Sequence, residues 1–285
     1  LALPDYMPDG SRKFVGRPRG EAAGLWRGKA ADRLPDSAMP KFEWIGDTAF
    51  VESDSVGNCD FISAVDTPAI WELNVWYHTL NCGMTARISG ETDFPCIYGD
   101  RVGLGRVYVE LGEHQPLEYP TWIAGLKDGR SYCGDGMSHI IDFAVDGFGL
   151  GTRQTPDAQP SRYEVEGPKT VRVTFDVAAL LEEQPNESTA QIRNRRLDEK
   201  PYWHIERCRV DDSRNVPVEV IVNGNVVATR EVAADGATRS LEIPVKIEKS
   251  SWVAVRILPS VHTNPIFVHV DGKPIRASRT RAQWC

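Results

Sequence analysis

The sequence predicts an α/β region followed by an all-β sandwich domain. Three observations carry this expectation. Residues 59–93 read as strand, amphipathic helix, strand. From about Ser161 onward, short β-rich runs recur at even spacing, punctuated by Asn223-Gly224, Asp235-Gly236 and Asp271-Gly272, the turn pairs of all-β domains. Charge changes with the pattern. Residues 42–160 carry 6 Lys/Arg against 18 Asp/Glu, net −12, whereas residues 161–285 carry 19 against 17, net +2. The expected division is an irregular N-terminal segment at 1–41, an α/β region at 42–155 and a β-sandwich at 160–285.

Pro and Gly interrupt residues 1–41 at short intervals, which predicts loop. Lys41–Glu52 mixes aromatic residues with alternation and reads as a strand or sheet edge. Cys59–Val65 is a short apolar run and reads as a buried strand. Asp66-Thr67-Pro68 then opens a helix, with Asp66 or Thr67 as N-cap and Pro68 in the first turn. Ile70, Leu73, Trp76, Tyr77 and Leu80 recur at spacings of three and four, so they share one helix face. Gly83 is the expected stop. A strand over Thr85–Ser89 follows and delivers Gly90, Glu91, Thr92 and Asp93. This order predicts a βαβ unit with parallel strands, which places Asp66 and Asp93 at equivalent strand ends.

Gly103-Leu104-Gly105 lacks a third glycine and runs into a strand at Arg106–Leu111, so it is not a dinucleotide fingerprint. A short helix spans Pro120–Gly129, with Thr121 as its cap. Strands follow at Arg130–Cys133 and Ile140–Val145, the second ending in the Asp146-Gly147 turn. The sandwich strands are expected at Tyr163–Glu166, Thr170–Ala178, Trp203–Val210, Val216–Val222, Val226–Val232, Arg239–Ile247, Trp252–Pro259 and Ile266–Val270. The polar stretch Leu181–Lys200 reads as a long loop or partial helix.

Composition excludes some classes. Hydrophobic residues make up 41% and charged residues 26%, as in ordinary globular chains. No apolar run approaches the roughly 18 residues of a membrane span. The acidic middle third repels phosphate backbones, so no nucleic-acid partner is expected. The six cysteines, at 59, 82, 96, 133, 208 and 285, include no C-x-x-C pair, which argues against a structural zinc site. Cytoplasmic and extracytoplasmic settings both stay open, and an addressing signal would lie upstream of Leu1. The histidines form no H-x-H or H-E-x-x-H pair, and no nucleophile elbow is present. What stands out is Glu91 and Asp93 at a strand end, beside Gly90 and Pro95. Such carboxylates suit a divalent cation or a substrate pocket; the alternative is that Asp93 opens a turn ahead of Pro95. Asp66 is a further oxygen ligand or a plain N-cap. His139, just past the Gly134–Gly136 loop, is the histidine best placed to approach a pocket. A hydrolase would use the metal to activate water.

Several segments also carry a resemblance. Asn81-Cys-Gly-Met84, Ile88-Ser-Gly-Glu-Thr-Asp93, Gly105-Arg-Val-Tyr-Val109, Gly125–Gly136, Val145-Asp-Gly147, Ser251-Trp-Val-Ala-Val-Arg256 and His262-Thr-Asn-Pro-Ile-Phe-Val268 resemble, in order, motifs of the PHP-like metallohydrolases. The nearest branch is the carbaryl-hydrolase-like (CehA/McbA) group, and the resemblance covers about residues 57–277. It implies the C-terminal part of a PHP-like β/α barrel with a metal centre, then a β-sandwich. It also implies a metal-dependent hydrolase of an ester, amide, carbamate or phosphoester bond in a small-molecule substrate, with Zn, Mn or Fe bound. Asp93 matches the family's Asp as a metal ligand, but Phe94-Pro95 stand where its His would be. The family's earlier histidine pairs are absent, so the site is expected to be incomplete in this chain. Asp66 is a second ligand candidate, and Glu91 and His139 are the catalytic candidates. The rival expectation is a non-catalytic binding or scaffold protein whose β-sandwich recognises a glycan or a protein partner.

Overall fold

The computed structural model of the protein describes residues 59–99, 102–112, 114–195 and 199–277, together with a short antiparallel pairing of β1 (Asp5–Tyr6) with β2 (Arg12–Lys13). The other expectations for residues 1–58, including the loop at 1–41 and the strand at Lys41–Glu52, lie outside the described residues.

The βαβ unit forms as its pattern requires. β3 (Phe61–Ala64) and β4 (Arg87–Gly90) pair in parallel, with Ala64 opposite Gly90, and α1 (Ala69–Asn81) connects them. Leu73, Trp76, Tyr77 and Leu80 are buried together, the stripe that three-and-four spacing produces; the Ile70 side chain lies outside the described ones. Gly83 leaves the helix at φ +89°, a conformation that costs glycine little. The helix start differs from expectation. Pro68 itself holds the N-cap position, one residue after Thr67.

The expected barrel does not form, and the α/β assignment for the first region is corrected accordingly. A second parallel strand needs a crossover of roughly a dozen residues, usually helical. No helix lies between β4 and β5 (Arg106–Val109) among the described residues. Instead β5 pairs antiparallel with β6 (Ser131–Gly134) across α2 (Tyr119–Asp128), Tyr108 facing Tyr132. β6 then joins a large sheet in which β11 (Asn215–Val222), β12 (Asn225–Ala233), β14 (Ser251–Ile257) and β15 (Val261–Thr263) complete the order β12–β11–β14–β15–β6–β5. The edge of β14 is shared: its C-terminal end pairs with β15, and its N-terminal end with β16 (Ile266–Val270), which adds β9 (Arg162–Val165) in parallel.

A second, four-stranded antiparallel sheet has the order β13–β10–β7–β8, from β7 (Ser138–Val145), β8 (Phe148–Gly149), β10 (Lys169–Ala179) and β13 (Arg239–Ile247). Both sheets draw strands from either side of residues 155–160. The hairpins follow their turn chemistry. Asp146-Gly147 closes β7–β8 with φ of 52° and 81°, and Asn223-Gly224 closes β11–β12 with 52° and 85°. Two successive left-handed residues are what a two-residue type I′ turn demands. One expected strand is corrected: within Trp203–Val210 the chain forms a 3₁₀ turn at Ile205–Cys208. His204 caps it, and Glu206 pairs there with buried Arg209 at 2.6 Å, a local closure that competes with an extended strand. The Leu181–Lys200 insertion contains α3 (Glu187–Asn194), held by a reciprocal capping box between Asn186 and Thr189.

The two sheets face each other in a sandwich-like arrangement around Ile140, Val145, Val173, Phe175, Val218, Ile243, Val255 and Val268. Each such side chain contributes roughly 1.5–3 kcal/mol by leaving water. The opposite face of the large sheet carries a second cluster, where Trp76, Tyr77 and Leu80 of α1 meet Cys133, Trp252, Ala254 and Phe267. β14 is therefore buried on both faces, all seven residues of it. The layers run four-stranded sheet, large sheet, βαβ unit. No helix among the described residues is long and apolar enough to cross a membrane.

Candidate functional site

At the β5–β6 end of the large sheet, the two sheets part around a groove of about 640 Å³. Side chains alternate across a strand, so Arg106, Tyr108 and Glu110 share one face, and cross-strand register sets Tyr108 against Tyr132 and Arg106 against Gly134. The Glu110 amide bonds the Arg130 carbonyl at 2.8 Å, continuing the ladder by one more pair. Tyr108 and Tyr132 stack with ring centroids 4.9 Å apart and planes 14° apart. His139, from β7, stands edge-on to both at 4.9 and 6.0 Å. Its Nδ1 lies 2.9 Å from the Tyr132 hydroxyl. Burial, then the nearby Arg106 guanidinium, hold His139 below its ordinary pKa, so it is neutral at neutral pH. Burial, then Tyr108, raise the Tyr132 phenol.

The facing wall comes from Ile140 to Ala144 and from Gly149 to Thr152. β7 is irregular there: its register against β10 shifts between Thr174 and Asp176, and Asp142 adopts φ +53°. A bulge of this kind re-aims side chains, and bulges concentrate at sites. Glu110 and Asp142 line the groove, and neither carboxylate has a hydrogen-bond or ion-pair partner among the described residues. Arg130 lies 3.9 Å from Asp128. An aromatic surface with a few convergent polar groups is the usual make-up of a ligand site.

Beyond the end of β6, Asp135 accepts from the Met137 amide at 2.8 Å and from the Ser260 hydroxyl at 2.9 Å. Ser260 in turn lies 2.5 Å from the Ser138 hydroxyl. The second carboxylate oxygen of Asp135 is buried without a partner. Burial outweighs these bonds and pushes its pKa up to about 6.

The large sheet's other face holds a closed polar seam. Arg256 donates to Glu219 at 3.0 Å and to the Tyr77 hydroxyl at 2.9 Å, and both charged side chains are almost fully buried. The Tyr77 hydroxyl lies 2.5 Å from His262 Nε2, and His262 Nδ1 lies 2.7 Å from the Thr263 carbonyl. Only Nδ1–H can donate to that carbonyl, so Nε2 accepts from Tyr77. Burial, then Arg256, push the His262 pKa down to about 3. Alongside, Trp252 donates to Asn81 at 2.9 Å, and Asn264 bonds both the Ile88 backbone and Ser131. The segments around Asn81, Ile88, Trp252–Arg256 and His262–Asn264 thus meet here. Their shared task is to lock the βαβ unit onto the sheet.

The residues singled out from sequence lie elsewhere. Asp66 is buried in the loop after β3, while Glu91 and Asp93 are exposed after β4. The Glu91 amide bonds the Ala64 carbonyl at 3.0 Å, which keeps the two strand ends side by side. Asp93 sits at φ +50° and its carbonyl accepts from the Ile97 amide at 2.9 Å, the geometry of a turn. The glycines around it serve close packing: a Cβ on Gly90 would strike the Arg106 carbonyl, and one on Gly105 the Glu91 carbonyl. His139 packs against Tyr108 and Tyr132 on another sheet. Among the described residues no three His, Cys, Asp or Glu side chains converge to hold a metal. Reading the sequence did not single out Tyr108, Glu110, Arg130, Tyr132 or Asp142. Their signal was the alternation Arg106-Val-Tyr-Val-Glu110 beside Arg130-Ser-Tyr-Cys133, which puts polar and aromatic residues together on one face.

No family model, curated protein or solved structure matches the chain.

Proposed function

We propose that the protein is a non-catalytic binding protein whose β-sandwich recognises a glycan in the groove beside β5 and β6. The observation that carries this reading is the stacked pair Tyr108 and Tyr132 in a groove of about 640 Å³, large enough for a sugar unit and its neighbour. An aromatic face offers the apolar side of a sugar ring a flat partner, and the phenol edge stays polar. Glu110, Asp142 and Arg130 stand around that pair, where ring hydroxyls need acceptors and donors. A metal-dependent hydrolase would need ligands from outside the described residues.

The test is binding of an oligosaccharide panel, followed by calorimetric titration of the best binder against wild type and Tyr108→Ala. Loss of a central aromatic contact is expected to weaken binding by about tenfold or more. Unchanged affinity in a folded Tyr108→Ala protein overturns the reading.

A further inference from the structure

The geometry points to a charge preference in this groove: it takes an amino sugar bearing a free ammonium group ahead of neutral or acidic sugars. The inference rests on the glycan reading and goes further by naming the sugar class. Each wall supplies one carboxylate, Glu110 from the large sheet and Asp142 from the small one. Neither has a partner among the described residues, whereas two acidic neighbours outside the groove are engaged. Asp146 holds Lys169 at 2.7 Å, and Glu164 holds Arg162 at 2.6 Å. Asp142 lines the groove at the bulge in a left-handed conformation, one that Asp tolerates better than most residues. The faces of Tyr108 and Tyr132 add attraction for a cation. Among the described residues of the lining, the one cationic side chain is Arg130, 3.9 Å from Asp128, which also takes Arg153 at 2.8 Å. A carboxylate on each side of a stacked aromatic pair favours a bound ammonium and repels a uronic acid.

The experiment is calorimetric titration of the whole chain with short oligomers of glucosamine, N-acetylglucosamine and galacturonic acid, at about pH 5.5, where an amine is protonated. Glucosamine oligomers are expected to bind about tenfold more tightly than the acetylated ones, with an advantage that shrinks at high salt. A Glu110→Gln, Asp142→Asn double variant should lose that advantage, so that the ratio of its affinities for the two oligomers approaches one. Equal affinity for the charged and acetylated oligomers, or preference for galacturonate, overturns the charge preference and leaves the glycan reading standing. Failure of every oligomer to bind overturns both.

Discussion

The seam under α1 and the groove beside β5 use the same side chains on opposite faces of one sheet. The seam has Tyr77, His262, Arg256 and Glu219; the groove has Tyr108, Tyr132, Arg130 and Glu110, with His139 against its tyrosines. In the seam these groups bond one another, out of contact with water. In the groove the tyrosines and His139 hold each other while Glu110 has no partner. Residue type does not separate the two regions. Coverage does: α1 closes one face, and the parting of the sheets leaves the other open. A satisfied polar cluster holds layers together, whereas an unsatisfied one at a cavity is available to a ligand.

The largest expected effect would break this comparison most directly. Arg256→Met leaves Glu219 buried without its cation and should cost about 3–5 kcal/mol in urea unfolding. Arg130→Met, the matching change in the groove, should cost less than about 1 kcal/mol, since its ion pair is long and partly exposed. Similar losses in both would show the groove arginine to be structural.

Acid sensitivity comes next. His262 has its folded pKa depressed to about 3, against about 6.5 in the unfolded chain. Its contribution is complete above about pH 6.5 and is lost as pH falls toward 3, because the unfolded chain takes up the proton first. The loss is on the order of 3–5 kcal/mol, and a His262→Gln variant should show a flatter acid limb in stability measured against pH.

Asp135 works in the opposite direction. Its folded pKa is raised to about 6, so the folded state binds the proton more tightly and stability rises as pH falls from about 6 toward 4. Asp135→Asn is expected to stabilise the protein by roughly 1–3 kcal/mol at about pH 8 and to give no gain near pH 4. A gain at both pH values would mean that ionisation is not the cause. At the groove itself, Tyr108→Ala should cost no more than about 1.5 kcal/mol beyond the area it exposes, yet weaken binding by about tenfold or more.

Much of the β architecture was legible in the sequence. Arg239–Ile247 and Ile266–Val270 fall where the alternation placed them, and the Asn223-Gly224 hairpin follows from two residues that tolerate positive φ. The parallel β3–α1–β4 unit was equally legible. Its continuation into a barrel was not, because a βαβ order is local and does not say which sheet the next strand joins. Asp93 drew attention as a carboxylate at a strand end, and that position proved exposed. The groove residues stayed hidden because Tyr108 and Tyr132 lie 24 positions apart and meet only through antiparallel register.

Turn chemistry and periodicity act over a few neighbouring residues, so the chain's own order decides the hairpins, the buried stripe of α1 and most strand positions. Which face of the large sheet α1 covers depends on contacts between distant segments, such as Tyr77 with His262 and Trp252 with Asn81. Only that packing separates two clusters of like composition into a closed structural seam and an open groove.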